Sequence, residues 1–463
     1  MRAGGEIRDA LNRAAGTTLL YHADGSAART GAQLLQRAES LAGALVRNGL
    51  REATVGLFYR NSAAAMEAFI ATELIGATRL PVEPSAPPAE AAAIYAAAGV
   101  DAVLADHGVP GLTAPVLVHT DADPLNGPRW TTGVEVDPER TLVLYPRAVR
   151  DGTLFAIPTS YRNWQAIMRV NQELYRRGGY GEPLGEGERL LTMLQLMHVT
   201  GLVAGFPFLL MGRPQVLMDR FNAEAAAGLI RAQDITTVFA VPGMLDRIVA
   251  RPGAFPSLRR VLYGGAPVSS DQIARYARVF GPVLSQLYGR YEAGWPLAVL
   301  TPADHERIRR GEPDLAGSCG RPIDGVDLEP RPAAGGEVRV RSAMTSPLFT
   351  GPDGWCGVGD TAVRDRHGYL RLTGRLDAMI NTGAFHVYPA EVEAAVRALP
   401  QIADARVVGE PDPVWGEIVV AYVVARAPVT LEALRDRLRA SLAPYKIPRA
   451  VRVVDRLPHA PAP

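Results

Sequence analysis

Arg259-Arg260-Val261-Leu262-Tyr263 closes on Gly264-Gly265-Ala266-Pro267, and further along comes Tyr288-Gly289-Arg290-Tyr291-Glu292. The first stretch reads as a short buried strand ending in a glycine turn, which lets backbone approach a ligand closely. Working outward, residues 235–241 form a second apolar strand candidate. Toward the N-terminus, 32–49 has helical periodicity, 54–59 reads as a buried strand, 63–76 as a helix and 102–105 as another strand. Helices alternating with short apolar strands predict an α/β fold of layered, largely parallel sheets.

Beyond Glu337 the texture changes. Residues 337–341 (EVRVR) and 369–373 (YLRLT) alternate like half-buried antiparallel strands. After Gly374-Arg375-Leu376-Asp377 come a helix (390–399), strands (405–409 and 418–425) and a last helix (431–442). The expected organisation is a large N-terminal domain over 1–374, a hinge at 375–377 and a small α+β C-terminal lobe over 378–463.

Composition narrows the function classes. With 48% hydrophobic and 21% charged residues, the 463-residue chain is globular and long enough for one large and one small domain. A net charge of +1 gives no pointer to nucleic acid or an anionic membrane. Cys319 and Cys356 are too few for a disulfide framework and lack metal-ligand spacing. The N-terminal stretch lacks a signal peptide's apolar core, and the longest apolar run, 201–212, falls short of the ~20 residues of a spanning helix. A cytoplasmic protein with no nucleic-acid or membrane partner is expected. Lys446 is the only lysine among 49 basic residues. High-GC coding alone can drive most such exchange, but arginine does not replace a compact active-site ammonium.

Taken in order, motifs between Thr18 and Pro458 resemble the acyl-adenylate-forming ligases of the ANL superfamily: acyl-CoA synthetases, NRPS adenylation domains and luciferases. The resemblance implies a large N-terminal ANL domain and a small mobile lobe. Met197-His198-Val199-Thr200-Gly201 resembles the histidine segment lining the acyl pocket, and it implies Met193, Met197, Val199 and Gly201 as pocket residues with His198 catalytic. Gly264, Gly265, Ala266 and Pro267 match the turn against which adenosine lies. Tyr288 corresponds to the adenine-stacking tyrosine, Glu292 to the catalytic, Mg²⁺-holding glutamate and Asp360 to the ribose-binding aspartate. Arg375 corresponds to a nucleotide contact and Asp377 to the hinge pivot, while the segment from Gly383 and Ala384 resembles the loop facing the thiol tunnel.

The departures sit on the phosphate side. Tyr291 replaces a small threonine, Val358 another threonine, and Asn381 a lysine. The family grips triphosphate with a hydroxyl- and glycine-rich loop whose backbone amides form an anion nest, completed by a lysine. Here the stretch is Tyr145-Pro146-Arg147-Ala148-Val149-Arg150-Asp151-Gly152-Thr153-Leu154-Phe155, with no hydroxyl cluster, no lysine and a repelling Asp151. Arg147 and Arg150 are expected as a solvated surface pair. Lys446 aligns with an earlier structural segment, and the sequence ends at Pro463 just before the family's C-terminal catalytic lysine is expected. AMP or an acyl-adenylate is therefore the expected nucleotide ligand, and these losses argue against ATP with Mg²⁺.

Three readings stand open. One is an enzyme impaired in ATP-dependent activation that passes an acyl group to a thiol, of CoA or of a carrier protein's phosphopantetheine, or to an amine. Another is a non-catalytic homologue binding an acyl ligand or partner protein, and a third is an ordinary ligase with arginines for lysines. Val199, where amino-acid-activating relatives place an aspartate, favours a plain carboxylic acid or its acyl form as substrate.

Overall fold

This computed structural model describes the chain except residues 151–152, 332–335, 377–378, 384, 413 and 459–463 and the side chains of Arg150 and Pro313. Two sheets carry the large domain. In the six-stranded one the order is Val116–Val118, Ala102–Ala105, Thr54–Phe58, Thr78–Pro81, Thr141–Arg150, Thr153–Ser160. Its first five strands are parallel, with Thr54 opposite Thr78 and Val55 opposite Ala102. The nine-stranded sheet has a parallel centre that includes Leu190–Thr192, Thr237–Ala240, Arg260–Gly264 and Leu284–Arg290. The helices expected near 32–49 and 63–76 are Gly31–Arg47 and Ala63–Leu74.

Ala63–Leu74 is buried at every position, including Glu67 and Glu73, which pair with arginines. The fully buried Arg79 guanidinium donates to the Phe69 carbonyl (2.9 Å), pairs with Glu73 (3.4 Å) and lies 5.0 Å from the Trp164 ring. Arg260, equally buried, is held by Glu188 and the carbonyls of Glu182 and Pro183. Each charge survives burial because it is paired and hydrogen-bonded.

A four-stranded antiparallel sheet follows: Asp327–Arg331, Glu337–Arg341, Cys356–Arg364, Leu370–Arg375. The small lobe is a five-stranded sheet packed on the helices Pro389–Arg397 and Leu431–Leu438 around its own core of Val387, Val392, Val407, Val423 and Leu434. Among the described residues no helix is long and apolar enough to cross a membrane.

One segment departs from expectation. The stretch that corresponds to the family's phosphate loop is instead the end of a strand, Thr141–Arg150, that pairs antiparallel with Thr153–Ser160. Tyr145 lies opposite Ile157, Pro146 opposite Ala156 and Ala148 opposite Phe155, so Arg147 falls at a register shift. Valine, leucine and phenylalanine stand where a phosphate loop has small residues, and such side chains favour a pleated surface. The bulge turns Arg147 inward, so the expected solvated pair is corrected: Arg147 is buried. Arg150's side chain, and Asp151 and Gly152, lie outside the described residues.

Candidate active site

Arg260–Gly264 and Leu284–Arg290 are neighbouring parallel strands, and the site opens at their C-terminal ends, where open α/β sheets bind ligands. Gly265 has φ +88°, and a Cβ on Gly264 would lie 2.3 Å from the Leu287 carbonyl, so the turn needs both glycines. Tyr288 donates from Oη to Asp360 Oδ2 (2.7 Å), joining the nine-stranded sheet to the four-stranded one. Asp360 is opposite Arg375 in its own sheet, with Arg290 Nη1 at 3.6 Å and Arg375 Nε at 3.9 Å from its Oδ1. These residues and the Gly265-Ala266-Pro267 turn line a cavity of about 380 Å³. Its apolar wall includes Ile167, Val199, Leu287 and Trp295.

The small lobe closes over this cavity. Asn381 donates from Nδ2 to the Gly265 carbonyl (2.6 Å), and a Cβ on Gly416 would sit 3.8 Å from Ala266 and Pro267.

The phosphate-side wall is packed with side chains. Arg147 donates to His386 Nδ1 (2.6 Å), pairs with Glu292 Oε1 (3.3 Å) and lies 4.0 Å from the centre of the Tyr291 ring. His198 caps the helix Val199–Leu210 by accepting the Thr200 backbone N–H at Nδ1. That places its proton on Nε2, which donates to Tyr291 Oη at 2.5 Å. Burial, then the nearby Arg147 charge, lowers the His198 pKa to about 3, so the ring is neutral. His386 is pushed well below the ordinary histidine value by burial and by Arg147, Arg290 and Arg375. Burial alone would raise the Glu292 carboxyl, yet Arg290 and Arg147 hold it below the usual carboxylate value.

Glu292 lies between two guanidiniums, Arg147 at 3.3 Å and Arg290 at 3.4 Å. No group of three His, Cys, Asp or Glu side chains among the described residues could hold a metal ion. Glu292, the expected metal ligand, is thus paired with two arginines.

Several expected pocket positions move. Met193 packs in the core with Val216 and Ile230, away from the cavity. Gly201 lets its helix approach the Gln195 carbonyl, 2.1 Å from where a Cβ would stand. Met197 lines a smaller neighbouring cavity, and Val199 lines the large one. Gly383 is a turn with φ +59° packed on Trp415 instead of along a tunnel; Phe385 and His386 line the smaller cavity. Asp377 and Ala384 lie outside the described residues. Trp295, Arg290 and His386 are wall residues that sequence reading passed over. Arg290, a charge inside the YGRYE motif, was the signal available.

The chain belongs to the AMP-binding enzyme family, whose pattern matches residues 7–154 and 152–345, and the family's C-terminal domain matches 391–462. It is 35% identical over 289 residues to a 2-succinylbenzoate–CoA ligase of Bacillus licheniformis, covering 59% of each chain. It is 32% identical over 296 residues to the fatty acid–[acyl-carrier-protein] ligase ScoC of Streptomyces coeruleorubidus, covering 60% of this chain and 57% of that one. The chain thus spans less than two thirds of the curated relatives it matches. The fold superimposes on the amide bond synthetase McbA of Marinactinospora thermotolerans with TM-score 0.86 and 29% identity, over 100% of this chain and 97% of that one.

Proposed function

We propose that this protein is an acyl-adenylate-handling enzyme of the ligase type, impaired in attacking ATP, that passes the acyl group of a carboxylic acid to a thiol or an amine. One observation carries the impairment: the Arg147 guanidinium lies between Glu292, Tyr291 and His386, on the side where the family holds pyrophosphate. The adenosine side supports nucleotide binding, with the glycine turn, the face of Tyr288 and the Asp360 carboxylate around one cavity. Asp360 retains lone pairs for ribose hydroxyls beside the Tyr288 bond. In this reading the nucleophile enters beside neutral His198 and Tyr291, a C–S or C–N bond forms at the acyl carbon, and the C–O bond to phosphate breaks to release AMP. The segment 375–377 acts as the hinge between lobes. CoA and carrier-bound ligases among the relatives, and an amide bond synthetase among the structures, support both acceptor classes.

ATP–pyrophosphate exchange with carboxylic acids should be negligible, while calorimetry should record binding of AMP and of a non-hydrolysable acyl-adenylate. Robust exchange overturns the impairment. Binding with no transfer to any acceptor points to a ligand-binding homologue.

A further inference from the structure

Beside the large cavity lies a second one of about 80 Å³, and the two share Tyr145, His198, Tyr291 and His386 in their walls. The small cavity therefore reaches the place where an acyl carbon would sit. Its outer wall is acidic. Glu83 follows the strand Thr78–Pro81, Glu90 comes from the helix Pro88–Ala98 and Glu391 from Pro389–Arg397. Lys446 bridges Glu90 (2.6 Å) and Glu391 (2.7 Å), so two carboxylates share one ammonium. Among the described residues no cation pairs with Glu83. Its Oε1 accepts from Ser85 Oγ at 3.4 Å, and its Oε2 is enclosed and accepts no hydrogen bond. At the junction of the cavities the buried Tyr145 hydroxyl is likewise without a partner.

We infer that the small cavity admits a primary amine as the acyl acceptor and that Glu83 is the base that deprotonates it. The inference rests on the acyl-adenylate reading above and narrows its acceptor class. A thiol must become a thiolate to attack, and carboxylates facing it disfavour that anion. The same carboxylates attract an ammonium. Glu83 takes one proton from the ammonium, the freed amine attacks, and the C–N bond forms as the C–O bond to phosphate breaks. The second nitrogen proton passes to the departing phosphate, AMP leaves as its monoanion, and Glu83 returns its proton to water. Burial raises the Glu83 carboxyl to about 7, opposed only by Ser85, which suits a base at neutral pH. The groups around it are Glu90, Glu391, Lys446 and Tyr445 at the outer end and Arg147, His198, His386, Tyr145 and Tyr291 at the inner end, with Arg147 facing Glu292.

The test supplies the 463-residue chain with synthetic benzoyl-adenylate and either propylamine or pantetheine, and follows products by mass spectrometry. Amide should form at least about tenfold faster than thioester. Glu83→Gln should lower kcat for amide formation by about 100-fold at pH 7. It should also abolish the rise in rate through about pH 7, while calorimetric affinity for benzoyl-adenylate stays as in the parent and shows the variant folded. Glu83→Asp should recover part of the rate. Faster thioester formation, or an unchanged Glu83→Gln profile, overturns the inference. Failure of the parent chain to bind benzoyl-adenylate overturns the underlying reading instead.

Discussion

The two sides of the candidate site are built by opposite strategies. On the adenosine side, groups are arranged around empty space: a turn stripped of side chains at Gly264 and Gly265, the face of Tyr288, and one carboxylate at Asp360. On the phosphate side, side chains satisfy one another: Arg147 with Glu292 and His386, His198 with Tyr291, and Phe385 stacked on Tyr445 at 4.3 Å. A site that must receive a charged ligand keeps its polar groups preorganised and available. Self-satisfied groups charge an entering phosphate the loss of their existing bonds.

Four measurements sharpen or break that contrast. Arg147→Ala should have the largest effect, since removing one member of a buried ion pair costs about 3–5 kcal/mol of stability. Thermal unfolding checks it, and an unchanged midpoint would mean that the phosphate side is not held by this arginine. Asp360→Ala should weaken AMP about 100-fold by calorimetry, or about 2.7 kcal/mol, through lost charge-assisted hydrogen bonds. Undiminished binding would move adenosine elsewhere.

The third measurement uses pH. His198 titrates at about 3 in the fold against 6.5 for the ordinary group. A depressed folded value means the unfolded chain takes up protons first. The stability it contributes is therefore fully present above pH 6.5 and lost as pH falls toward 3. Roughly 2 kcal/mol should disappear between pH 6.5 and 5 in urea titrations, and His198→Asn should flatten that slope. Smallest of all, Asn381→Ala removes one neutral hydrogen bond to the Gly265 carbonyl and should cost about 1 kcal/mol. Protease cleavage between the lobes should rise modestly while AMP affinity holds.

The glycine turn and the tyrosine that line the large cavity were legible because their requirements are local. A glycine pair after an apolar strand, and an aromatic residue one strand later, carry their meaning within a few residues. The strands 54–58 and 102–105 and the helix 31–47 were legible for the same reason, their periodicity being their own. Arg147 was not. Its burial depends on His386, 239 positions away, and on Glu292, 145 positions away, so nothing near it in sequence distinguishes it from a surface arginine. Met193 and Gly201 failed differently: adjacency to the histidine segment put them at the pocket, whereas strand and helix geometry turn them into packing positions.

Lys446 has a consequence for the acyl-adenylate reading proposed above. Acyl-adenylates are strong acylating agents, and one that escapes reacts with exposed amines. The chain's single lysine is 4% exposed, and its ammonium is clasped by Glu90 and Glu391; Tyr445 and these two carboxylates raise its pKa against the effect of burial. Its nitrogen lone pair is thus both sheltered and protonated, and every other basic side chain counted with it is an arginine, a poor nucleophile. The surface offers no lysine for self-acylation.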